Sequence, residues 1–162
     1  MITAQQALDM FRSHDLIGIG MEADKVRRKY HPDNIATYII DRNVNYTNVC
    51  TEYCSFCAFY RPKGHDEAYV HPKEVLYQKI QETIDLGGTG VLMQGGLHPD
   101  LPVEWYEDLF RSIKQNFKIH LHVLSAPEIL NIAQISNLSI EDTIARLRDA
   151  GLDSIPGAGA EI

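Results

Sequence analysis

The chain has 162 residues, 44% of them apolar and 23% charged, with 11 glycines and 7 prolines. This composition excludes a disordered or collagen-like polymer and fits one globular domain. Fifteen Lys and Arg stand against 22 Asp and Glu, a formal net charge of −7, which argues against a broad cationic surface for nucleic acid or anionic lipid. No apolar run reaches the ~20 residues of a membrane span, and MITAQQALDMFRSHD lacks the basic-then-apolar order of a secretory leader, so the chain reads as cytoplasmic, with no nucleic-acid or membrane partner.

Thr3 and Gln6 have the spacing of a capping box, and Ala4, Ala7, Leu8 and Phe11 recur at helical spacing, which predicts a short first helix. A second helix is predicted over about Met21 to Tyr30, stopped by the turn residues His31, Pro32, Asp33 and Asn34. Residues 1–35 thus read as an N-terminal helical appendage. From Ala36, two short β-rich runs, ATYII and VNYTNV, flank Asp41, Arg42 and Asn43, and the second leads into the cysteines. KEVLYQKIQETIDL places Leu76, Ile80, Thr83 and Ile84 on one helical face and stops at Gly87 and Gly88. GVLMQGG then reads as a buried strand.

PVEWYEDLFRSIKQNF puts Tyr106, Leu109, Phe110, Ile113 and Phe117 on a second helical face, and the strand-like IHLHVL follows. APEILNIAQI and SIEDTIARLRDAGL form a broken helical segment, its second part opened by Ser139 with Asp142 and closed by Gly151, before the Gly-rich strand end DSIPGAGAEI. Such alternation signals an α/β fold of βαβ units on a parallel sheet. Because a closed (β/α)8 TIM-type barrel takes roughly 250 residues, residues 36–162 read as the N-terminal half of one, preceded by short helices. A half barrel is expected to expose two sheet edges and an apolar interior, so the chain should need its other half or self-association.

Cys50, Cys54 and Cys57 are the whole cysteine complement. Three cannot pair fully within one chain, and nothing else resembles a secreted disulfide scaffold. The spacing C-x3-C-x2-C lets thiolates wrap one compact metal centre, and three ligands would leave one iron of a four-iron cluster open to an exchangeable small molecule. Two other readings stand beside this one. Zinc could be completed by His65 as a Cys3His site in a binding module; or the cysteines could be unrelated structural residues, which the polar neighbours Asn48, Thr51 and Glu52 disfavour.

C-x3-C-x-aromatic-C, with Phe56 as the aromatic, at the end of the first strand of a βα-repeating chain resembles the motif of the radical S-adenosylmethionine (SAM) superfamily. The resemblance implies a [4Fe-4S] cluster held by Cys50, Cys54 and Cys57, its fourth iron chelated by S-adenosyl-L-methionine, with backbone near Phe56 against the adenine. Reductive cleavage would then give methionine and a 5′-deoxyadenosyl radical. The resemblance also implies that Gln94, Gly95 and Gly96, after the second strand, bind the methionine amino group, although Leu97 stands where the pattern has an acidic residue. Ser125 and Glu128, after the third strand, would contact the ribose or methionine moiety. On their own, paired glycines end many strands, and Ser125 is equally a helix N-cap with Pro127 and Glu128 in its first turn.

Within the superfamily, DRNVNYTNVC, CAFYRPKGH, GGTGVLMQGGLHPDLP, WYEDLFRSIK, the HLH before SAPEI, and GLDSIPGAGAEI resemble the cyclic dehypoxanthine futalosine synthase branch, on the futalosine route to menaquinone. Aminofutalosine synthases and the F420 deazaflavin synthases are the neighbouring alternatives. The resemblance implies hydrogen abstraction from ribose C4′ of dehypoxanthine futalosine, ring closure onto the aromatic ring, and loss of an electron and a proton. It also implies an electron donor such as flavodoxin or ferredoxin. Such chemistry needs enclosure and a base near the ring, and the motifs named mark out no residue as that base. Candidate substrate contacts are Arg61, His65, His98 and His122. Arg61 suits a benzoate by bidentate pairing, against the commoner reading as an ordinary surface charge. His120 and His122 share one face of their strand, each a satisfied structural histidine on the alternative reading. Tyr46, Tyr53, Tyr60 and Trp105 read as core or cluster-shielding residues.

Overall fold

The computed structural model describes residues 2–157; the last part of the Gly-rich strand end, residues 158–162, lies outside them. The chain divides into two compact units, Met1–Tyr38 and Ile39–Ile162.

The first unit carries α1 (Ala4–Arg12) and α2 (Leu16–Tyr30). The capping box forms as the spacing predicts: Gln6 N–H donates to Thr3 Oγ1 at 3.2 Å, and Thr3 N–H donates to Gln6 Oε1 at 2.8 Å. Helix α2 begins well before Met21, because the Asp15 side chain accepts the Gly18 N–H at 2.9 Å and starts the helix despite Gly18 and Gly20. Neither helix buries a residue.

The second unit is a parallel sheet of β1 (Asp41–Asn45), β2 (Gly90–Gln94) and β3 (His120–Val123) in the order β1-β2-β3. It is accompanied by α3 (Lys73–Asp85), α4 (Val103–Asn116), α5 (Ala126–Ser136) and α6 (Ile140–Ala150). After α6 the chain returns beside β3 through a parallel bridge of His122 with Ser154, which continues the βα repeat. One set of alternating strand residues, Val44, Val91, Met93, Leu121 and Val123, is buried in a core with Leu76, Ile80, Tyr106, Leu109, Phe110, Ile113 and Leu147 from the helices. Each such side chain contributes roughly 1.5–3 kcal/mol relative to leaving it exposed.

Two expectations change. The first strand occupies Asp41–Asn45: it takes in Asp41, Arg42 and Asn43, which the sequence reads as a break, with Val44 and Asn45 from the start of the second run, while ATYII forms no strand. Its polar residues alternate with Val44, so only one face carries an apolar signal. The sheet face opposite the core is also not apolar as expected. Strand alternation gives it Asp41, Asn43 and Asn45 from β1, Leu92 and Gln94 from β2, and His120 and His122 from β3. Ser154 joins this row, its Oγ lying 2.7 Å from His120 Nε2 and 2.6 Å from His122 Nδ1.

Candidate active site at the strand exits

The three cysteines lie in the loop that leaves β1. Its outer frame closes where Thr47 pairs antiparallel with Val70 and His71 N–H donates to the Tyr46 carbonyl at 2.8 Å. Asn48 holds the frame from inside, its Nδ2 donating to the Glu67 carbonyl at 2.9 Å and its Oδ1 accepting the Tyr69 N–H at 2.8 Å. A tighter noose closes at Val49 and Arg61: Arg61 N–H donates to the Asn48 carbonyl at 2.8 Å, and Cys50 N–H donates to the Arg61 carbonyl at 3.1 Å. All three cysteines therefore sit between adjoining points of the chain. Their thiols are free, with Cys54 exposed and Cys50 and Cys57 half-buried. The rings of Phe56, Phe59 and Tyr53 on the same loop face solvent. Tyr53 sits at a positive φ of 38°, an uncommon conformation for a bulky residue, and its ring meets Tyr60 edge-on.

The turn after β2 packs directly on this loop. Gly96 N–H donates to the Thr47 carbonyl at 3.2 Å, and Thr51 N–H donates to the Leu97 carbonyl at 3.1 Å. A Cβ on Gly96 would stand 2.2 Å from the Val49 carbonyl oxygen and 2.7 Å from Cys50 Cβ; one on Gly95 would stand 2.5 Å from the Tyr46 ring. The paired glycines are thus required by close approach to the cysteine loop, a reason the sequence alone does not disclose. Gln94, in register with Asn45, ends β2 on the open face.

The exit of β3 completes the rim. Leu124 is buried at a φ of 69°, a strained conformation for a branched side chain costing about 1–3 kcal/mol, and its N–H is held by the Met93 carbonyl at 2.9 Å. The bend leads to Ser125, the N-cap of α5, and to Glu128, which is only 3% exposed. Burial pushes the Glu128 carboxyl above its ordinary range, against the opposing pull of hydrogen bonds from Ser125, Tyr46 and Gly95. The Tyr46 phenol is raised well above its usual value, first by burial and then by the neighbouring Tyr106 and Glu128.

The remaining candidates separate by surroundings. Arg61 pairs with Glu67 at 2.6 Å and donates to the Tyr60 carbonyl at 2.9 Å, so its guanidinium clasps the loop that its backbone closes. Tyr53, Cys57, Tyr60, Arg61, His65 and Glu67 together line one hollow of the cysteine loop. His65 Nδ1 accepts the Glu67 N–H at 3.1 Å. His98 is buried, its Nδ1 accepting the Asp100 N–H at 3.1 Å, and burial holds its pKa below the ordinary histidine value. His122 lies on the open sheet face.

Among the described residues no three Cys, His, Asp or Glu side chains stand preassembled around a metal ion. The donor chemistry nevertheless fits an iron–sulfur cluster: three free thiols on one closed loop, with bare glycine backbone pressed against the first of them. Sequence reasoning takes Tyr46 as a core or cluster-shielding residue and Asn48 as a polar neighbour of the cysteines, misses the bonds each makes here, and misses Leu124 altogether. The one available signal is a tyrosine read as core, whose hydroxyl then needs a partner.

The profile of the Radical SAM superfamily matches residues 44–158. The chain is 49% identical over 162 residues to a cyclic dehypoxanthine futalosine synthase of Halalkalibacterium halodurans, covering 99% of this chain and 44% of the relative. It is 46% identical over 165 residues to a protein of the same name from Streptomyces coelicolor, covering 99% of this chain and 41% of the relative. An FO synthase of Nocardia farcinica is 42% identical over 149 residues, covering 91% of this chain and 17% of the relative. The chain therefore spans less than half the length of these curated relatives. The superfamily's members are enzymes that use a [4Fe-4S] cluster and S-adenosylmethionine. The superfamily match spans the β1 exit loop, the glycine turn and the β3 exit, and the chain belongs to the radical SAM superfamily.

Proposed function

We propose that the polypeptide carrying this chain is a cytoplasmic cyclase of menaquinone biosynthesis, converting dehypoxanthine futalosine to cyclic dehypoxanthine futalosine. The observation that carries the reading is the closed loop of three free thiols at the β1 exit, seated on Gly96. The choice of substrate is supported by 49% and 46% identity to two synthases of that name, against 42% to an FO synthase. Residues 36–162 supply the first half of the barrel in this reading, and residues 1–35 an appended helical segment.

Cys50, Cys54 and Cys57 would hold the cluster, which with S-adenosylmethionine supplies a carbon-centred radical able to take a hydrogen atom from unactivated carbon. Gly95 and Gly96 present backbone without side chains beside Cys50, and Gln94 extends that edge over the open face. Backbone near Phe56, on the same loop, would lie against the adenine. Ser125 and Glu128 close the rim from β3. The open face, with Asn43, Asn45, Leu92 and His122, offers amide and imidazole groups suited to a hydroxyl-rich substrate. His122 is its substrate contact in this reading. Arg61, His65 and His98 shape the surrounding loops through the local bonds already described. A reductant of the flavodoxin or ferredoxin class supplies the electron.

The test is anaerobic incubation of the iron-loaded full-length protein with S-adenosylmethionine, dithionite and each candidate substrate, with products followed by mass spectrometry. Cyclic dehypoxanthine futalosine from dehypoxanthine futalosine is the expected result. Turnover only of the aromatic and pyrimidine partners of an FO synthase would assign the chain to that neighbouring branch instead.

A further inference from the structure

The Glu128 carboxylate reaches three strand exits at once. Its Oε1 accepts the Tyr46 hydroxyl at 2.6 Å and the Gly95 N–H at 2.9 Å, and its Oε2 accepts the Ser125 hydroxyl at 2.6 Å. Tyr46 follows β1, Gly95 follows β2, and Ser125 follows β3. Three donors on two oxygens, in a side chain 3% exposed, leave the carboxylate engaged within the protein. Burying a carboxylate is costly unless it is fully hydrogen-bonded, and here one of the three donors is a backbone amide of the proposed cofactor rim, Gly95 N–H. From that amide the contacts run on without a gap: Gly95 lies on the Tyr46 ring, and Gly96 lies on Val49 and Cys50.

We infer that Glu128, with Tyr46 and Ser125, is a buried clamp that fixes the Gly95–Gly96 backbone against the cysteine loop, acting as a positioning residue rather than as a contact of the cofactor. This rests on the superfamily chemistry proposed above. The bend at Leu124 belongs to the same device, because it turns the chain from β3 into the cap that carries Glu128. Glutamine at this position can reproduce the clamp. Its carbonyl oxygen accepts from Tyr46 and Gly95, while its amide faces a serine hydroxyl able to accept instead. Alanine leaves the half-buried Gly95 N–H without its acceptor and leaves the buried Tyr46 phenol only the long contact to the Tyr106 hydroxyl at 3.5 Å.

The experiment compares wild type, Glu128→Gln, Glu128→Ala and Tyr46→Phe in the full-length protein by two readouts that need no turnover. The first is amide hydrogen exchange at residues 94–98 of the apoprotein, with α3 and α4 as internal controls. The second is S-adenosylmethionine affinity, taken from the change it causes in the electron paramagnetic resonance spectrum of the reduced cluster. For Glu128→Ala and Tyr46→Phe, exchange at the glycine turn is expected to rise, and affinity to fall, by about tenfold, with α3 and α4 unchanged; Glu128→Gln should restore both. If Glu128→Ala does not fold, Tyr46→Phe and Glu128→Gln carry the same comparison. Wild-type exchange and wild-type affinity in Tyr46→Phe would overturn the clamp, as would loss in Glu128→Gln equal to that in Tyr46→Phe. A wild-type protein that forms no cluster would instead defeat the superfamily chemistry while the exchange data still judge the clamp.

Discussion

At the scale of single residues, Gly96 shows how a strand exit is tied to the cysteine loop. The atoms a methyl group would strike, the Val49 carbonyl oxygen and Cys50 Cβ, cannot rotate away. Gly96→Ala is therefore expected to destabilise the fold by about 1–3 kcal/mol and to lower iron uptake, read as urea midpoint and iron per chain. Gly20, in α2, has nothing within 4 Å of its missing Cβ, so Gly20→Ala should be stabilising by about 0.5–1 kcal/mol. His98 gives a pH dependence. The unfolded chain takes up the proton near the ordinary histidine value of 6.5, whereas the buried folded residue does so only at lower pH. The stability from neutral His98 is thus complete above that value and lost as the pH falls through the lowered one. The urea midpoint should drop on acidification through this range in wild type and drop less in His98→Gln; equal slopes would contradict the assignment. The cysteine positions were legible in the sequence because thiol spacing is itself chemical. The inward direction of Glu128 was not, since Ser-x-x-Glu at a helix start reads the same whether the carboxylate meets solvent or a buried phenol.

Among elements, helices were read more reliably than strands. The faces of α3 and α4 were visible in advance because Leu76, Ile80, Tyr106, Leu109, Phe110 and Ile113 recur at helical spacing, and each is buried. Phe110→Ala should cost about 3–5 kcal/mol, measured by denaturant unfolding. Helix α6 opens with the Ser139 hydroxyl accepting the Asp142 N–H at 3.0 Å, and Ser139→Ala should cost about 1 kcal/mol. The start of strand β1 at Asp41–Asn43 escaped because four of the strand's five residues are polar. A strand whose second face is polar and uncovered loses the continuous apolar run by which buried parallel strands are recognised.

For the molecule as a whole, the polar face opposite the core is the property that separates this sheet from an ordinary closed barrel. Barrel interiors are commonly filled by layers of branched apolar side chains; this face carries Asn43, Asn45, Gln94, His120 and His122, with Leu92 as the apolar exception. Repeating βα units made the parallel sheet readable from sequence, but the polarity of its inner surface required knowing which alternate residues the helices cover. The central claim is that the loop between Val49 and Arg61 holds a four-iron cluster beside the Gly95–Gly96 turn. Its most direct test is anaerobic loading of the full-length protein with iron and sulfide, followed by iron counting and electron paramagnetic resonance of the reduced protein before and after S-adenosylmethionine, in wild type and Cys54→Ala. About four irons per chain, a spectrum altered by S-adenosylmethionine, and loss of both in the variant are expected. One tightly held zinc, or iron retained in Cys54→Ala, would contradict the claim.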